Sequence, residues 1–291
     1  MASEVYVVLI SGCSSGIGLD TALHLAKDPE KRFKVYATMR NLAKKKGKLE
    51  EHGKEYLGKT LVIEEMDVSS DESVKNVVEK IIEIEERIDV LFNNAGYGIF
   101  GVLETIPVEK AKQLFDVNFF GVLRAIQAVL PYMKKKRSGL ILNNSSVFGL
   151  VGAPFYEVYS ASKFALEGLI ESLAPTLLYF DIRCALIEPG PVASSFRENL
   201  STHIKSFDKV KADEESLELI KAFKAKAGKR VASFEQTGDE IAQMVEEIIL
   251  CKNPKLRSPT NDKYNPDERA AKYSDLAGEG LPKMLKKNYF E

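Results

Sequence analysis

Tyr159 and Lys163 stand four residues apart, and Ser146 lies thirteen residues before Tyr159. On a helix, positions i and i+4 share a face, so the ammonium and the phenol can enter one cleft. A phenol titrates near ~10, too high for a base at neutral pH, and a nearby cation that favours the phenolate lowers it. The pair therefore reads as proton-transfer chemistry. Taken singly, Tyr159 is also readable as a half-buried helix residue and Ser146 as a turn hydroxyl.

A second group of residues is suited to an anionic ligand. The apolar run Val5 to Ile10 leads into Ser11-Gly12-Cys13-Ser14-Ser15-Gly16-Ile17-Gly18 and then a helical pattern. Glycines at a strand-to-helix turn let a pyrophosphate approach the backbone, and the helix N-terminus offers free N–H groups and a favourable dipole. A tight turn alone needs one glycine, not three. The second apolar run ends in Thr38-Met39-Arg40-Asn41. A carboxylate there would suit the ribose hydroxyl of NAD; the uncharged Met39 followed by Arg40 favours the 2′-phosphate of NADP(H), with Ser15 able to add a hydroxyl. The alternative for Arg40 is an ordinary surface cation. Asp67, before Val68, can accept from an adenine amino group or cap a helix, and Asn94, in Asn94-Ala95-Gly96, can tie adjacent strands through their backbone.

Short apolar runs alternating with helical patterns must position these groups. Val5 to Ile10, Lys34 to Met39, Thr60 to Met66, Val90 to Phe92, Gly139 to Asn143 and Arg183 to Ile187 read as six parallel strands of one doubly wound α/β sheet of the Rossmann type, flanked by helices. Helices are expected over Ile17 to Asp28, Ser70 to Ile84, Pro107 to Met133 and Tyr159 to Phe180, the last with a kink or break at Pro175. Lys134 to Arg137 reads as a dipole-compensated helix exit rather than a binding patch. After Phe196 the alternation stops, so the chain is expected to be one domain: residues 5–196 as the cofactor-binding and catalytic core, and 197–291 as a substrate-covering segment over the sheet edge.

Composition narrows the function. The 291 residues carry 41 Lys plus Arg against 42 Asp plus Glu, a net charge of −1, which argues against nucleic-acid binding. Cys13, Cys184 and Cys251, like His24, His52 and His203, are scattered without metal-ligand or disulfide spacing, so no metal is expected and a reducing, cytoplasmic setting is the simpler reading. The first apolar run lacks a basic start and is too short for a signal peptide. No uninterrupted apolar stretch approaches the ~18 residues a transmembrane span needs, which leaves peripheral membrane contact open.

The order Gly-x-x-x-Gly-x-Gly, Asn93-Asn94-Ala95-Gly96, Ser146 with Tyr159-x-x-x-Lys163, and Pro189-Gly190 resembles the short-chain dehydrogenases/reductases. The wording of Ala37 to Arg40, Ala161 to Gly168 and Glu188 to Val192 is similar to the branch of 17β-hydroxysteroid dehydrogenase type 1 and retinol dehydrogenase 8. The resemblance implies that Tyr159 exchanges a proton with substrate oxygen, Ser146 orients that oxygen, Lys163 binds the nicotinamide ribose, and Asn118 holds a relay water. It places Pro189, Gly190 and Val192 against the nicotinamide, with Ser194 available to its carboxamide, and implies a homodimer through the two long helices. Val147, Phe148, Ala153, Phe155 and Tyr156 around the catalytic set suggest an apolar pocket for a lipophilic alcohol or ketone. The steroid enzyme of this branch uses a His and a Glu in its C-terminal part, and Leu217 to Arg230 has no histidine. The expectation is therefore retinol/retinal first and a 17β-hydroxysteroid second; a non-catalytic NADP(H)-binding scaffold is the alternative of another class.

Overall fold

The alternating pattern builds a seven-stranded parallel sheet in the computed structural model of the chain, which describes residues 5–194, 196 and 212–291. The strands are β1 (Tyr6–Ile10), β2 (Phe33–Met39), β3 (Leu61–Glu65), β4 (Val90–Asn93), β5 (Gly139–Asn144), β6 (Ile182–Glu188) and β7 (Arg257–Pro259), in the order β3-β2-β1-β4-β5-β6-β7. The order reverses between β1 and β4. The two connections there leave in opposite directions and open a crevice at the strands' carboxyl ends, where such folds bind ligands.

The helices are α1 (Gly16–Ala26), α2 (Leu42–Lys45), α3 (Gly47–Gly53), α4 (Asp71–Glu85), α5 (Val108–Phe115), α6 (Gly121–Lys136), α7 (Val147–Leu150), α8 (Glu157–Leu178), α9 (Glu214–Phe234), α10 (Gly238–Leu250), α11 (Pro266–Ser274) and α12 (Gly280–Phe290). Successive side chains of a strand point to opposite faces, so both faces of the sheet are apolar and both are covered. Val8 and Ile10 of β1 meet Leu19, Ala22 and Leu25 of α1 on one face. On the other face Val7 and Leu9 meet Val74, Val78 and Ile81 of α4 and Ile126 and Val129 of α6.

Three expectations differ from the structure. Helix α8 runs unbroken through Pro175 to Leu178, so the proline's missing N–H and its clash with the preceding turn do not end the helix. Alternation does not stop after Phe196. Helix α10 lays Ile241, Val245, Ile248 and Ile249 onto the α1 face, and β7 adds a strand beside β6. Each such side chain contributes roughly 1.5–3 kcal/mol by leaving water, so this part of the tail is core rather than cover. Its signal was present in the sequence: Thr237 and Glu240 form a capping box, with Glu240 N donating to Thr237 Oγ1 at 3.2 Å and Thr237 N donating to Glu240 Oε2 at 2.7 Å. The portion of the expected covering segment at 197–211 lies outside the described residues.

The third concerns the long helix over Pro107 to Met133. It is α5 and α6 joined by a π-helical turn, Asp116–Phe120, a distortion often found at functional sites. By length and composition the run Val108–Lys136 is apolar enough to cross a bilayer, but Leu114, Val122, Ile126 and Val129 bury their apolar side against the protein. At its exit Arg137 adopts φ 52° and its N–H closes on the Lys134 carbonyl, the dipole-compensated ending that the basic run suggested.

Candidate active site

The glycine-rich turn lies at the carboxyl end of β1 because Gly12 and Gly16 take φ values of 76° and 59°, which L side chains rarely adopt. A Cβ on Gly12 would sit 2.7 Å from Ala95 Cα. Gly18 packs its backbone against Asn94 and the Gly12 carbonyl, where a Cβ would collide with both. Asn94 ties the crevice together as the sequence suggested: its Nδ2 donates to the Ser11 and Gly12 carbonyls at 2.9 and 3.1 Å, and its Oδ1 accepts from Asn144 at 2.9 Å. Ser11 Oγ accepts from the N–H groups of Asn94 and Ala95 at 3.1 and 3.0 Å.

A cavity of about 850 Å³ follows this crevice, lined at one end by Gly12, Ser14 to Ile17, Arg40, Asp67 and Val68 and in its middle by Asn94 to Gly96, Ser146, Tyr159 and Lys163. Pro189, Gly190, Val192 and Ser194 form its facing wall. Not every residue expected at the site reaches it. Ser11 and Gly18 support the turn from behind. Cys13 is fully buried, its N–H donates to the Thr38 carbonyl, and burial pushes its thiol up to about 12, so it is a core residue. Ala153 is buried beside the pocket without lining it.

The charges at the adenosine end match an anion. Ser15 caps α1 without any side-chain hydrogen bond to the helix, which leaves its first amides facing the cavity. Arg40 is exposed at the rim, and none of the described carboxylates forms an ion pair with it. Asp67 does not cap α4; Ser70 does, accepting from Ser73 N at 3.2 Å. Burial works against the Asp67 carboxylate, but hydrogen bonds from Ser69 and the charges of Arg40 and Arg124 outweigh it and hold the group below its ordinary range. A nicotinamide dinucleotide therefore fits the residues present: open amides and a guanidinium at one end, and the hydroxyls of Ser146, Tyr159 and Ser194 further along the cavity.

Tyr159 and Lys163 occupy successive turns of α8, with Lys163 Nζ 5.8 Å from the Tyr159 ring centre. The ammonium donates to the Asn144 carbonyl at 2.7 Å. Ser146 ends the loop after β5, and its neighbours are stitched to β6 by Ser145 N to Ile187 O at 2.9 Å and Val147 N to Pro189 O at 3.1 Å. Its hydroxyl accepts from Phe148 N at 3.1 Å. Burial raises the Tyr159 phenol above its ordinary value, while the Ser146 hydroxyl works the other way. Burial also lowers Lys163, to about 8, against the supporting charge of Glu167. At neutral pH this leaves a protonated phenol beside an ammonium, the pairing a proton donor needs.

Asn118 is buried in the π-helical turn, and its side chain is fully engaged: Nδ2 donates to the Tyr97 carbonyl and Ser162 Oγ at 2.9 and 3.1 Å, and Oδ1 accepts from Tyr97 N at 3.1 Å. The amide is not among the groups lining the cavity, so a water held at this residue would have to use its backbone carbonyl. Beyond Tyr159 the cavity becomes aromatic. Phe100 lies 4.9 Å from Tyr156, Phe223 lies 4.8 Å from Tyr289, and Phe196 lies 5.6 Å from Tyr159, measured between ring centres. Phe155 packs into the same cluster with φ 64°, a strained value for a bulky residue. Val147, Phe148 and Tyr156 line this end as expected. Sequence reading missed Phe223, Ala227, Tyr264 and Tyr289, which come from α9, the β7–α11 connection and α12. Phe223 and Ala227 at i and i+4 were the available signal.

With this arrangement in place, comparison with known proteins defines the class. The family described as short chain dehydrogenase matches residues 6–205, and the chain belongs to it. Human retinol dehydrogenase 8 is 45% identical over 267 residues, covering 91% of this chain and 85% of that protein. Human 17-beta-hydroxysteroid dehydrogenase type 1 is 40% identical over 263 residues, covering 89% and 79%. A short chain dehydrogenase/reductase from Burkholderia phymatum, solved in complex with NAD, superposes with a TM-score of 0.78 at 22% identity, covering 95% of this chain and 96% of that one. That last likeness speaks for the fold.

Proposed function

We propose that the chain is an NADP(H)-dependent oxidoreductase that interconverts a lipophilic alcohol and its carbonyl compound, with retinol and retinal as the leading pair. The observation that carries this reading is the continuity of one cavity, from the glycine-rich turn and Arg40, past Tyr159, Ser146 and Lys163, into the aromatic box.

When bound, the nicotinamide supplies or accepts the hydride. Tyr159 donates its phenolic proton to the carbonyl oxygen in reduction, and Ser146 donates a hydrogen bond that orients that oxygen. Lys163 stabilises the phenolate left behind and offers its ammonium to a ribose hydroxyl. Asn118 would hold a relay water through its carbonyl. Ser14 to Ile17 would hold the phosphates, Arg40 would pair with a 2′-phosphate, and Asp67 and Val68 would meet the adenine. Asn94 to Gly96 and Pro189 to Ser194 would hold the nicotinamide side, and Phe100, Val147, Tyr156 and Phe223 would exclude water around the substrate.

The retinoid is placed first because an aromatic box needs little polar recognition beyond the reacting end, and because of the 45% identity to a retinol dehydrogenase. A 17β-hydroxysteroid is the second reading; the phenol rings of Tyr264 and Tyr289 at the far wall offer polar ends that could meet a distant hydroxyl. Two copies would pair through the outer sides of α5, α6 and α8, where Val108, Phe120 and Leu178 are exposed apolar residues. Incubating the purified chain with NADPH or NADH and a panel of retinal, estrone and simple aromatic ketones tests the reading. The expected result is fastest NADPH consumption with retinal. NADPH binding without turnover of any carbonyl would favour a scaffold.

A further inference from the structure

Where α8 packs on β6, one of two buried carboxyl groups lacks a guanidinium partner. Glu188 closes β6 with 0% exposure; no side chain among the described residues hydrogen-bonds its carboxyl oxygens, and only the Ser258 backbone N–H on β7 supports its charged form as a donor. Glu167, one turn beyond Lys163 on α8, is 5% exposed. Its Oε2 accepts from Arg257 Nε at 2.9 Å, but its Oε1 is unpartnered. Ser145 Oγ is also unpartnered. A Cβ built on Gly149 would lie 2.6 Å from that hydroxyl and 3.3 Å from Glu167 Oε1, so both orphaned oxygens border the same small space.

The groups facing Glu188 can be enumerated element by element. Glu167 comes from α8, Arg257 from β7, and Arg269 and Tyr273 from α11. Arg257 is committed elsewhere, its guanidinium forking onto Glu167 and, at 2.6 Å, onto Glu171. Arg269 gives one amino group to the Asp262 carbonyl at 2.8 Å, and its Nε is unpartnered. Of the two buried carboxyls, Glu167 and Glu188, only Glu167 is paired with a guanidinium; Glu171, which shares Arg257, is exposed. A second buried carboxylate without a partner is costly, and the cost disappears when one carboxyl keeps its proton. The fully enclosed Glu188 is the group that keeps it. Burial, reinforced by the Glu167 charge, pushes Glu188 up to about 8.

We propose that Glu188 and Glu167 hold one proton between them where α8 packs on β6, and that the pair is a positioning device for the Lys163 ammonium. The proton on Glu188 leaves Glu167 ionised. The Glu167 charge then favours the charged form of Lys163 one turn away, against the burial that opposes it. Neither carboxyl touches the cavity, so both act through Lys163 rather than on substrate. The second half of the proposal rests on the role given to Lys163 above; the shared proton does not.

The full chain, with Glu188→Gln and Glu167→Gln, tests both halves. Folding that raises a carboxyl above its unfolded value stabilises the protein below that value and loses the contribution as pH rises through the folded one. Heat or urea unfolding between about pH 5 and about pH 9 should therefore show the native chain losing stability relative to Glu188→Gln. The expected relative change in the unfolding equilibrium constant is at least about tenfold. Parallel curves overturn the shared proton. Should Glu188→Gln fail to fold, the infrared carbonyl band of a protonated carboxylic acid in the native chain, present at about pH 6 and lost by about pH 9, supports it, and its absence overturns it. For the Lys163 half, the activity of Glu167→Gln relative to the native chain should be at most about one third as large at about pH 8 as at about pH 6.5. A merely structural defect lowers both values alike and overturns the coupling. A stability difference in a chain that reduces no carbonyl supports the shared proton and counts against the proposed activity alone.

Discussion

Lys163 Nζ donates to the backbone carbonyl of Asn144 at 2.7 Å, which joins the catalytic helix α8 to the end of β5 inside the sheet crevice. The bond fixes the ammonium between two elements distant in sequence and leaves two of its three donors for other partners. Burial drives Tyr159 and Lys163 towards their neutral forms from opposite sides, so the site holds a phenol that is slow to ionise beside a cation that is easily discharged. The first property suits a proton donor, and the second gives the site a pH limit.

That limit is the first prediction. With Lys163 at about 8 in the folded chain, against 10.5 ordinarily, carbonyl reduction should decline as pH rises through about 8. Stability should move the opposite way. The folded state releases this proton before the unfolded state does, so the cost of burying the charge is present below about pH 8 and relieved between there and about 10.5. Lys163→Met should abolish the stability rise in that window, as read by urea unfolding, and persistence of the rise would assign it to another group.

Arg40→Asp should exchange the preferred cofactor. A carboxylate at the end of β2 repels a 2′-phosphate and accepts from a ribose hydroxyl. We expect the ratio of kcat/KM for NADPH to that for NADH to fall by at least about 100-fold, the loss of one charge-assisted pair plus a new repulsion. An unchanged ratio would remove Arg40 from the site.

Gly12→Ala and Gly18→Ala should both destabilise the fold as well as weaken cofactor binding. Each Cβ would press on backbone or on Asn94, and overpacking of this kind costs typically about 1–3 kcal/mol. Gly152→Ala is the control, since nothing lies within 4 Å of its Cβ position. Equal melting temperatures for the three variants would refute the close-approach argument.

Phe223→Ala should open the far end of the substrate cavity without touching the proton-transfer residues. Losing contact with a buried ring is worth roughly 1.5–3 kcal/mol, so KM for a long lipophilic carbonyl should rise about tenfold or more. For a small aromatic aldehyde that reaches only Ser146 and Tyr159, KM should barely change. A parallel rise for both substrates would place Phe223 in the fold rather than in recognition.

Six of the seven strands and the catalytic helix were legible because strands buried on both faces leave short continuous apolar runs, and the i, i+4 rule marks a helix face. The glycine turn was legible because three glycines exceed what a turn requires. What escaped was tertiary. Nothing local marks Phe223, Tyr264 and Tyr289 as neighbours, since three C-terminal elements bring them together. Asn118 looked like a relay group, yet the π-helical turn directs its amide at Tyr97 and Ser162. Cys13 sits within the phosphate motif by sequence and within the core by packing, because the turn's backbone presents alternate residues to opposite sides. The Thr237–Glu240 capping box was readable and passed over, and with it α10 and β7.

The most direct test of the proposed activity compares the native chain with Tyr159→Phe in NADPH-dependent reduction of retinal, with NADPH binding measured in parallel by fluorescence. Removing one hydroxyl leaves the ring's packing against Phe148 and Phe196 intact. The predicted result is NADPH binding within a few-fold of the native chain, with turnover reduced by about 10²–10⁴-fold, the usual worth of a general acid. Turnover by Tyr159→Phe at the native rate would contradict the account.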